Sequence, residues 1–325
     1  MTTINNFQKI IDSYIMEKQS LGYKYESETR MLRRIVALQM QLDHGAPLLS
    51  RETVSTWIER TSWESETNRS HRISLIRCLG KYMVRMGYKA YVVPDKFAPL
   101  QSYTYMPYIF SDNELRSFLF SVDVFSKKST SEHASLVFPL LFRILIGCGL
   151  RISETLSIEK QDVDFEKGTL LLLNTKNEKE RIIPMADSLC KACRKYALKI
   201  QFVRKANESK YFFPNPEGKA YAAHTAYSLF RQILQLAGIS HGGRGKGPRL
   251  HDLRHTFAVR ALKKWVLEGK NLTTAMPYLS IYMGHVGLKA TQHYVKLTSD
   301  MFPELIKTVE ERFGWIIPEA YHERD

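Results

Sequence analysis

The sequence predicts a mainly α-helical protein with one small antiparallel β-sheet. Three observations lead to this fold class. Helical periodicity dominates residues 1–93, a proline-containing stretch without any period follows, and short apolar segments of strand type cluster between residues 162 and 185. We therefore expect an all-helical N-terminal domain, a linker, and a second domain of α+β type.

Length and charge are consistent with two domains that bind a polyanion. The chain has 325 residues and a formal net charge of +14, which favours nucleic acid as a partner, with an acidic membrane surface as the second choice. The sequence shows neither an apolar run of membrane-spanning length nor a signal-peptide pattern at "MTTINNFQKI". We expect a soluble, cytoplasmic protein that binds DNA and no membrane.

The N-terminal domain, residues 1–93, is predicted to contain four helices. The segment "INNFQKIIDSYIMEK" carries one apolar stripe, and "TRMLRRIVALQMQL", "RETVSTWIER" and "NRSHRISLIRCLGKYMVRMG" follow. In the last segment the apolar positions face inward and the basic ones outward, which suits a DNA groove, although a merely solvated face is an equal alternative. The candidate DNA-binding residues here are Arg69, Arg72, Arg77 and Lys81.

Residues 94–106 are predicted to be the linker between the domains, because they contain prolines and no helical period. The second domain, residues 107–300, then opens with "SDNELRSFL", in which Ser111 and Glu114 have the spacing of a capping box. Residues 301–325 form a C-terminal tail whose apolar cluster follows Gly314. That cluster either packs on its own domain or docks on a neighbouring protomer.

Inside the second domain, a buried helix ends at the double-glycine break "GCG", and Arg151 begins the next helix. The strand segments that follow form the small sheet, with Lys176 in a basic hairpin. Cys190 and Cys193 lie three apart in a predicted helix without a second ligand pair. We interpret both as structural, with a zinc site as the less favoured alternative.

The segment "RLHDLRHTFAV", residues 249–259, predicts an amphipathic helix that begins after Pro248. His251 and Arg254 share one face of its first turn, and His255 lies one turn beyond His251. Helix N-termini attract anions such as phosphate. A solvated surface helix is the alternative reading of these polar residues.

Two further residues complete a pattern: His285 follows Gly284, and Tyr294 comes nine residues later. An arginine, a hairpin lysine, an HxxR motif, a histidine and a tyrosine in this order resemble the tyrosine recombinase or phage integrase family. The resemblance covers the second domain with every motif in sequence. It implies a tyrosine-recombinase catalytic domain whose catalytic residues are Arg151, Lys176, His251, Arg254, His285 and the nucleophile Tyr294.

The resemblance also implies roles. Arg151 and Arg254 would hold a phosphodiester, Lys176 would protonate the departing 5′ oxygen, and His251 is the first choice as general base. Glu154 would support a nearby arginine or histidine. The glycine-rich segment "SHGGRGKGPR" would bring three more basic residues to DNA phosphates, with a flexible spacer as the alternative; they are Arg244, Lys246 and Arg249.

The implied function is site-specific DNA recombination through a 3′-phosphotyrosine intermediate. No metal or other cofactor is expected, because two arginines supply the positive charge. The implied partners are double-stranded DNA sites, a second pair of protomers in a tetramer, and accessory proteins in some systems. Three alternatives remain open: a type IB topoisomerase, a non-catalytic DNA-binding regulator, and a zinc-binding nucleic-acid module.

Overall fold

The computed structural model of the chain describes residues 6–62, 64–95, 106–173, 180–243 and 247–285, together with Thr291 and Tyr294. The chain divides into two compact units, Met1–Thr104 and Tyr105–Asp325. The division falls inside the segment predicted as the linker. Each unit has a hydrophobic core of its own.

The N-terminal unit contains the four predicted helices: α1 (Asn6–Ser20), α2 (Glu26–Leu42), α3 (Arg51–Ile58) and α4 (Glu66–Arg85). Serine hydroxyls that accept a backbone N–H of the first turn begin α3 and α4. The apolar stripes of all four helices meet in the core.

One detail of this unit differs from the all-helical prediction. Two short strands, β1 (Leu48–Leu49) and β2 (Lys89–Ala90), pair in parallel. Gln39 is fully buried, and its amide donates to the carbonyls of Ala46 and Leu48 at 2.8 and 3.1 Å. The pairing of β1 with β2 joins segments about forty residues apart along the chain. Helical periodicity within one segment does not predict a contact of this kind.

The second unit begins with α5 (Asp112–Lys128), whose predicted capping box between Ser111 and Glu114 is present. Buried helix α6 (Glu132–Cys148) and short helix α7 (Ile152–Ser157) follow. The small sheet has the order β3-β4-β5 and is antiparallel throughout, as predicted. Its strands are β3 (Val163–Asp164), β4 (Thr169–Leu172) and β5 (Arg181–Pro184).

Four helices complete the described part of this unit: α8 (Asp187–Ile200), α9 (Ala223–Leu236), α10 (Asp252–Leu267) and α11 (Leu272–Met283). Its main core joins α5, α6, α8 and α9 with the sheet, and a smaller one joins α10, α11 and Tyr294. The predicted class, mainly α with a small antiparallel sheet, is confirmed. Within the residues described, the longest apolar helical stretch falls short of what a membrane crossing requires.

Candidate catalytic site

The HxxR helix begins where the sequence predicts, with His251 as its N-cap and α10 starting at Asp252. The carboxylate of Asp252 is fully buried and accepts the backbone N–H of Arg249 at 2.7 Å, which fixes the entry to the helix. Arg254 is only 2% exposed. A solvated surface helix would leave this side chain in water, so that alternative is excluded.

Arg254 is held by backbone carbonyls from two distant segments. Its guanidinium donates to the Gly149 carbonyl at 2.8 Å and to the Met283 carbonyl. Burial, and then the charge of Arg151, lower the pKa of Arg254 to about 10, so the group stays charged at neutral pH. Burying a charge is unfavourable, and the hydrogen bonds of Arg254 to the two carbonyls offset this cost.

Arg151 stands at the N-cap of α7, as the double-glycine break predicts. Its backbone N–H and its guanidinium both donate to Glu154, at 2.9 and 2.6 Å, and the guanidinium also donates to the Gly284 carbonyl at 3.2 Å. One fifth of the side chain remains exposed. Arg151 is therefore both anchored and accessible to a ligand.

Glu154 is the centre of this cluster and is 4% exposed. Arg181, at the start of β5, donates to both of its carboxylate oxygens at 3.2 and 2.9 Å, and Arg254 lies 3.9 Å away. Burial alone would raise the pKa of Glu154, but the hydrogen bonds from Arg181 and Arg151 hold it below its usual value. The predicted supporting role of Glu154 has its partners here.

Arg181 was not assigned a role from the sequence. Its side chain shares the inward face of β5 with Ile183, and only 9% of the residue is exposed. A charged residue at an inward position of an alternating strand is the signal that could have identified it, since such a residue needs a buried partner.

The C-terminal end of α11 receives all three arginines. The consecutive carbonyls of Tyr282, Met283 and Gly284 accept from Arg181, Arg254 and Arg151 respectively. A helix C-terminus carries unpaired carbonyls and a partial negative charge, so it is well suited to fix cations. The end of this one helix thereby sets the spacing of the three guanidiniums.

Two glycines make this arrangement sterically possible. Gly149 and Gly284 both have left-handed backbone, with φ of +61° and +62°. A Cβ at Gly149 would clash with the Phe257 ring, and one at Gly284 would lie 2.8 Å from Arg181 Nη1. No other residue type fits either position without displacing a neighbour.

His251 and His285 lie beside the arginines. Burial, and then the charges of Arg254 and Arg151, lower the pKa of each to about 4. His251 keeps one exposed face, while His285 is half-buried and its Nδ1 lies 2.8 Å from Thr291 Oγ1. Both imidazoles are therefore neutral at pH 7 and can donate a hydrogen bond to an anion.

Tyr294 lies within the same site and is 3% exposed. The His285 ring is stacked on it, with centroids 6.0 Å apart and planes at 23°. The Tyr294 hydroxyl lies 3.2 Å from Nδ1 of His255, a residue to which the sequence did not assign a role. His255 in turn meets His251 edge to face at 4.8 Å.

Four predicted features lie outside the residues that the structure describes: Lys176, Arg244, Lys246 and the tail at residues 301–325. Arg249 is exposed just before α10. The structure brings five of the six predicted catalytic residues, Arg151, His251, Arg254, His285 and Tyr294, into one site. The predicted supporting residue Glu154 lies among them, and the structure adds Arg181 and His255.

The predicted basic face of α4 requires a correction. Arg72 and Arg77 do not point outward, since only 13% of each side chain is exposed. Arg72 donates to Glu64 and to the Trp57 and Glu59 carbonyls. These side chains are long enough to fold back onto neighbouring loops, where carbonyl acceptors are available.

The other two candidates on this helix differ from each other. Arg69 is 25% exposed in its side chain and donates to the Ile58 carbonyl at 3.2 Å. Lys81 is 58% exposed and lies 3.4 Å from Asp95. Of the four, Lys81 has the outward orientation that was predicted, and contact of any of them with DNA stays a prediction.

The two cysteines of the CxxC pair face protein groups. Cys193 is buried with its Sγ 3.8 Å from Met185 Sδ, and Cys190 Sγ lies 3.5 Å from the Phe165 carbonyl. Among the described residues, His, Cys, Asp and Glu side chains form no group of three or more that could hold a metal ion. These contacts agree with the interpretation of both cysteines as structural.

The site combines three arginine side chains, neutral imidazoles and a phenol, and together these groups can bind and cleave a phosphodiester. Planar guanidiniums bind the non-bridging oxygens of a phosphodiester, and the phenol can attack its phosphorus. The site is therefore suited to phosphoryl transfer onto tyrosine.

Comparison with known proteins agrees with this chemistry. The sequence profile described as "Phage integrase family" matches residues 120–301, more than half of the chain. The protein y4rB of Sinorhizobium fredii, named as an integrase/recombinase, is 26% identical over 312 residues, 95% of this chain and 99% of the relative. Tyrosine recombinase XerD of Corynebacterium glutamicum is 25% identical over 248 residues, 76% of each chain.

A solved structure is similar in fold. The Tn1549 transposon integrase in complex with a circular intermediate DNA superposes with a TM-score of 0.62 at 17% identity, covering 88% of this chain and 94% of that one. At this level of identity the likeness establishes the shared architecture and nothing finer.

Proposed function

The chain belongs to the phage integrase family, and on that premise we propose that it is a site-specific DNA recombinase that cleaves and rejoins strands through a 3′-phosphotyrosine. The observation that carries the proposal is the buried cluster of Arg151, Arg181 and Arg254 around Glu154, with Tyr294 in the same site. Recombination is favoured over the topoisomerase and regulator alternatives by the names of the relatives.

In the proposed reaction, Arg151 and Arg254 bind the non-bridging oxygens of the scissile phosphate. Charge gathers on these oxygens as Tyr294 attacks in line, so interactions already in place stabilise the transition state more than the ground state. Glu154 and the carbonyls at the end of α11 hold the guanidiniums in position before DNA arrives. The cost of ordering them is therefore met during folding rather than during catalysis.

The neutral imidazoles of His251 and His285 would donate hydrogen bonds to the same phosphoryl group. The departing 5′ oxygen needs a proton, and we assign its delivery to Lys176 from the family pattern. Cleavage then leaves a 3′-phosphotyrosine and a free 5′ hydroxyl. Because the phosphodiester energy is kept in the protein–DNA bond, a 5′ hydroxyl of another strand can reseal it without ATP.

The proposed substrate is double-stranded DNA carrying recombination sites. Support comes from the net charge of +14 and from the fold that the chain shares with an integrase solved on a circular intermediate DNA. A mobile element would be a fitting source for such sites, and the bacterial cytoplasm the compartment. The second unit, Tyr105–Asp325, is called the catalytic unit from here on. Its proposed phosphate contacts are Arg249 and the segment that contains Arg244 and Lys246.

We further propose that four protomers assemble on two sites, with the tail at residues 301–325 exchanged between neighbours and accessory proteins needed in some contexts. Deleting residues 314–325 is then expected to leave single-site binding nearly intact and to reduce the paired-site complex. Native gels with one-site and two-site DNA measure both. A truncated chain that loses single-site binding would assign the tail to its own core.

The nucleophile is tested with nicked suicide DNA, which traps the covalent complex. Tyr294→Phe is expected to bind the DNA normally and to yield no covalent product on denaturing gels. Tyr278→Phe is the matched control, because Tyr278 is also a tyrosine of the catalytic unit and is 69% exposed on α11. Covalent product from Tyr294→Phe would contradict the proposed function.

Because Arg151 and Arg254 are proposed to bind the scissile phosphate, cleavage is also expected to proceed in excess EDTA. Two guanidiniums supply the positive charge that a divalent cation supplies in other phosphoryl-transfer sites. Covalent product is expected at the same rate with and without chelator in the same suicide assay. A strict requirement of the cleavage step for Mg²⁺ would rule out this mechanism.

A further inference from the structure

We propose that His255 is a catalytic residue that accepts the phenolic proton of Tyr294. The inference rests on the proposed function and deepens it, since it reassigns the general base from His251, the first choice from the sequence, to the next imidazole along α10. Nδ1 of His255 and the Tyr294 hydroxyl are 3.2 Å apart. That separation is within reach of direct proton transfer.

The orientations of the rings distinguish His255 from its neighbour His285. The His285 and Tyr294 rings are stacked, with an interplanar angle of 23°. The lone pair of a ring nitrogen lies in the plane of the imidazole, so a stacked imidazole does not direct it at the ring beneath. The Nδ1 of His285 is instead 2.8 Å from Thr291 Oγ1. His255 is tilted by 55° to Tyr294 and meets the hydroxyl through its nitrogen.

The electrostatic surroundings make His251 and His285 poor proton acceptors. Burial, and then the adjacent guanidiniums of Arg254 and Arg151, disfavour the protonated form of both and lower the pKa of each to about 4. Neutral imidazoles in that position are good hydrogen-bond donors to a phosphoryl oxygen. The two roles are thus divided: His251 and His285 contact the phosphate, and His255 serves the nucleophile.

The burial of Tyr294 explains why a dedicated base is needed. Only 3% of this residue is exposed, so bulk water is not at hand to take the proton. A phenol with an ordinary pKa near 10 is largely protonated at neutral pH and is a weak nucleophile in that form. An acceptor already bonded to the hydroxyl removes the proton as attack proceeds.

The step balances without a further reactant. The Tyr294 O–H bond breaks, its proton passes to Nδ1 of a neutral His255 that carries its hydrogen on Nε2, and the phenolic oxygen forms the bond to phosphorus. The bond from phosphorus to the 5′ oxygen breaks, and that oxygen takes a proton from the general acid. In resealing, the 5′ hydroxyl returns its proton to the deprotonated general acid as its oxygen attacks the phosphotyrosine, the bond from phosphorus to the phenolic oxygen breaks, and His255 returns its proton to the phenolate.

The test measures single-turnover formation of the covalent complex on nicked suicide DNA with the full chain. We expect His255→Ala to slow it by about 100-fold or more, in the range of general base catalysis, with unchanged DNA binding. His255→Gln, which keeps a hydrogen-bond partner but accepts no proton, is expected to be equally slow. His224→Ala, a substitution of an exposed histidine on α9, is the matched control and retains the normal rate.

A fluorinated tyrosine at position 294 separates a base from a positioning residue. Its more acidic phenol needs less help to ionise, so it is expected to restore much of the rate in His255→Ala while changing the unsubstituted protein little. Added imidazole is expected to rescue His255→Ala as well. These rescues act on proton transfer and leave a packing defect unchanged.

Two results would overturn the proposal. Wild-type cleavage rates in both His255 variants would remove any catalytic role, and slow cleavage that neither fluorotyrosine nor imidazole improves would make His255 a positioning residue. Failure of the proposed function gives a different result, because then the unsubstituted protein itself forms no covalent complex through Tyr294.

Discussion

Arginines of the N-terminal unit and of the catalytic unit bond to the same kinds of acceptor over different distances along the chain. On α4, the guanidinium of Arg72 reaches carbonyls 13 and 15 residues away, and that of Arg77 reaches one 16 residues away. In the catalytic unit, Arg151, Arg181 and Arg254 reach carbonyls that are 133, 101 and 105 residues away.

Buried guanidiniums serve two different purposes in this protein. The hydrogen bonds of Arg72 and Arg77 connect α4 to segments nearby in sequence. The carbonyls that accept these bonds occupy the two guanidiniums in the folded unit. A long-range set brings guanidiniums from several elements to one carboxylate and one helix end, which leaves them clustered with like charge around Glu154. Clustering of like charges is unfavourable for folding alone, so it indicates a site for an anion.

Removing the carboxylate at the centre should have the largest effect. Glu154→Gln would leave three close guanidiniums without a buried counter-charge, and we expect the free energy of unfolding to fall by about 4 kcal/mol. Urea denaturation of the full chain measures this. Glu159→Gln, which removes a partly exposed partner of Lys210, should cost less than about 1 kcal/mol. Equal stability of the two variants would refute the central role of Glu154.

Arg181→Met should cost somewhat less, about 3 kcal/mol of stability, because Glu154 keeps Arg151 as a partner. The cleavage rate should also fall, since Arg181 shares with Arg151 the Glu154 carboxylate that holds the Arg151 guanidinium in position. Arg181→Lys keeps the charge but loses the planar fork, so an intermediate result is expected for both quantities. If Arg181→Met cleaves suicide DNA at the normal rate, Arg181 contributes to stability only.

The folded protein should also lose stability as the pH falls, because of His251, His285 and Glu154. The pKa of His251 and of His285 is lowered to about 4 from 6.5, so between these values the unfolded chain binds protons that the folded chain does not. The depressed pKa of Glu154 acts in the same direction below pH 4.5. Thermal unfolding from pH 7 to pH 4 should show a falling melting temperature.

The variant His285→Gln should flatten this pH dependence, because it removes one of the two titrating imidazoles. Because His251 has an exposed face, its protonation contributes less to the loss of stability. The total loss of stability between pH 7 and pH 4 is therefore expected to be smaller than the loss caused by Glu154→Gln. A melting temperature that is constant or rises between pH 6.5 and 4 would contradict the assigned direction of the shifts.

On α4, Arg72→Met should lower the free energy of unfolding by about 2 kcal/mol, because several hydrogen bonds to Glu64 and to loop carbonyls are lost. The dependence of DNA affinity on salt should stay the same, since this guanidinium is occupied by protein acceptors. Binding titrations at several salt concentrations measure it. If the substitution reduced the slope of log affinity against log salt concentration by about one, Arg72 would contact a phosphate. The distinction drawn between the arginines of the two units would then be wrong.

Lys81→Met should have the smallest effect. Lys81 is largely exposed, so stability should be unchanged within error. If α4 lies against DNA, the affinity should fall slightly and the salt slope should decrease by about one. An unchanged slope in the same titrations would place Lys81 outside the DNA interface.

Much of the chain could be predicted from local sequence signals. The capping box of Ser111 and Glu114, the N-cap position of Arg151, the start of α10 and the antiparallel sheet all follow from residues within a few positions of one another. The order of motifs, through the family resemblance, also selected Arg151, Arg254 and Tyr294, which the structure brings into one site. Periodicity, capping and turn chemistry act over one or two helical turns, which is the range that a single sequence reveals.

Only the tertiary structure decided where the long polar side chains end. Arg72 and Arg77 looked like outward residues by helical position, yet their guanidiniums reach loop carbonyls; Arg181 and His255 had no assigned role, yet they meet Glu154 and Tyr294. The physical reason is reach. A guanidinium or imidazole bonds to whichever acceptor lies within a few ångström, and in a folded chain that acceptor comes from a segment whose distance along the sequence is unconstrained.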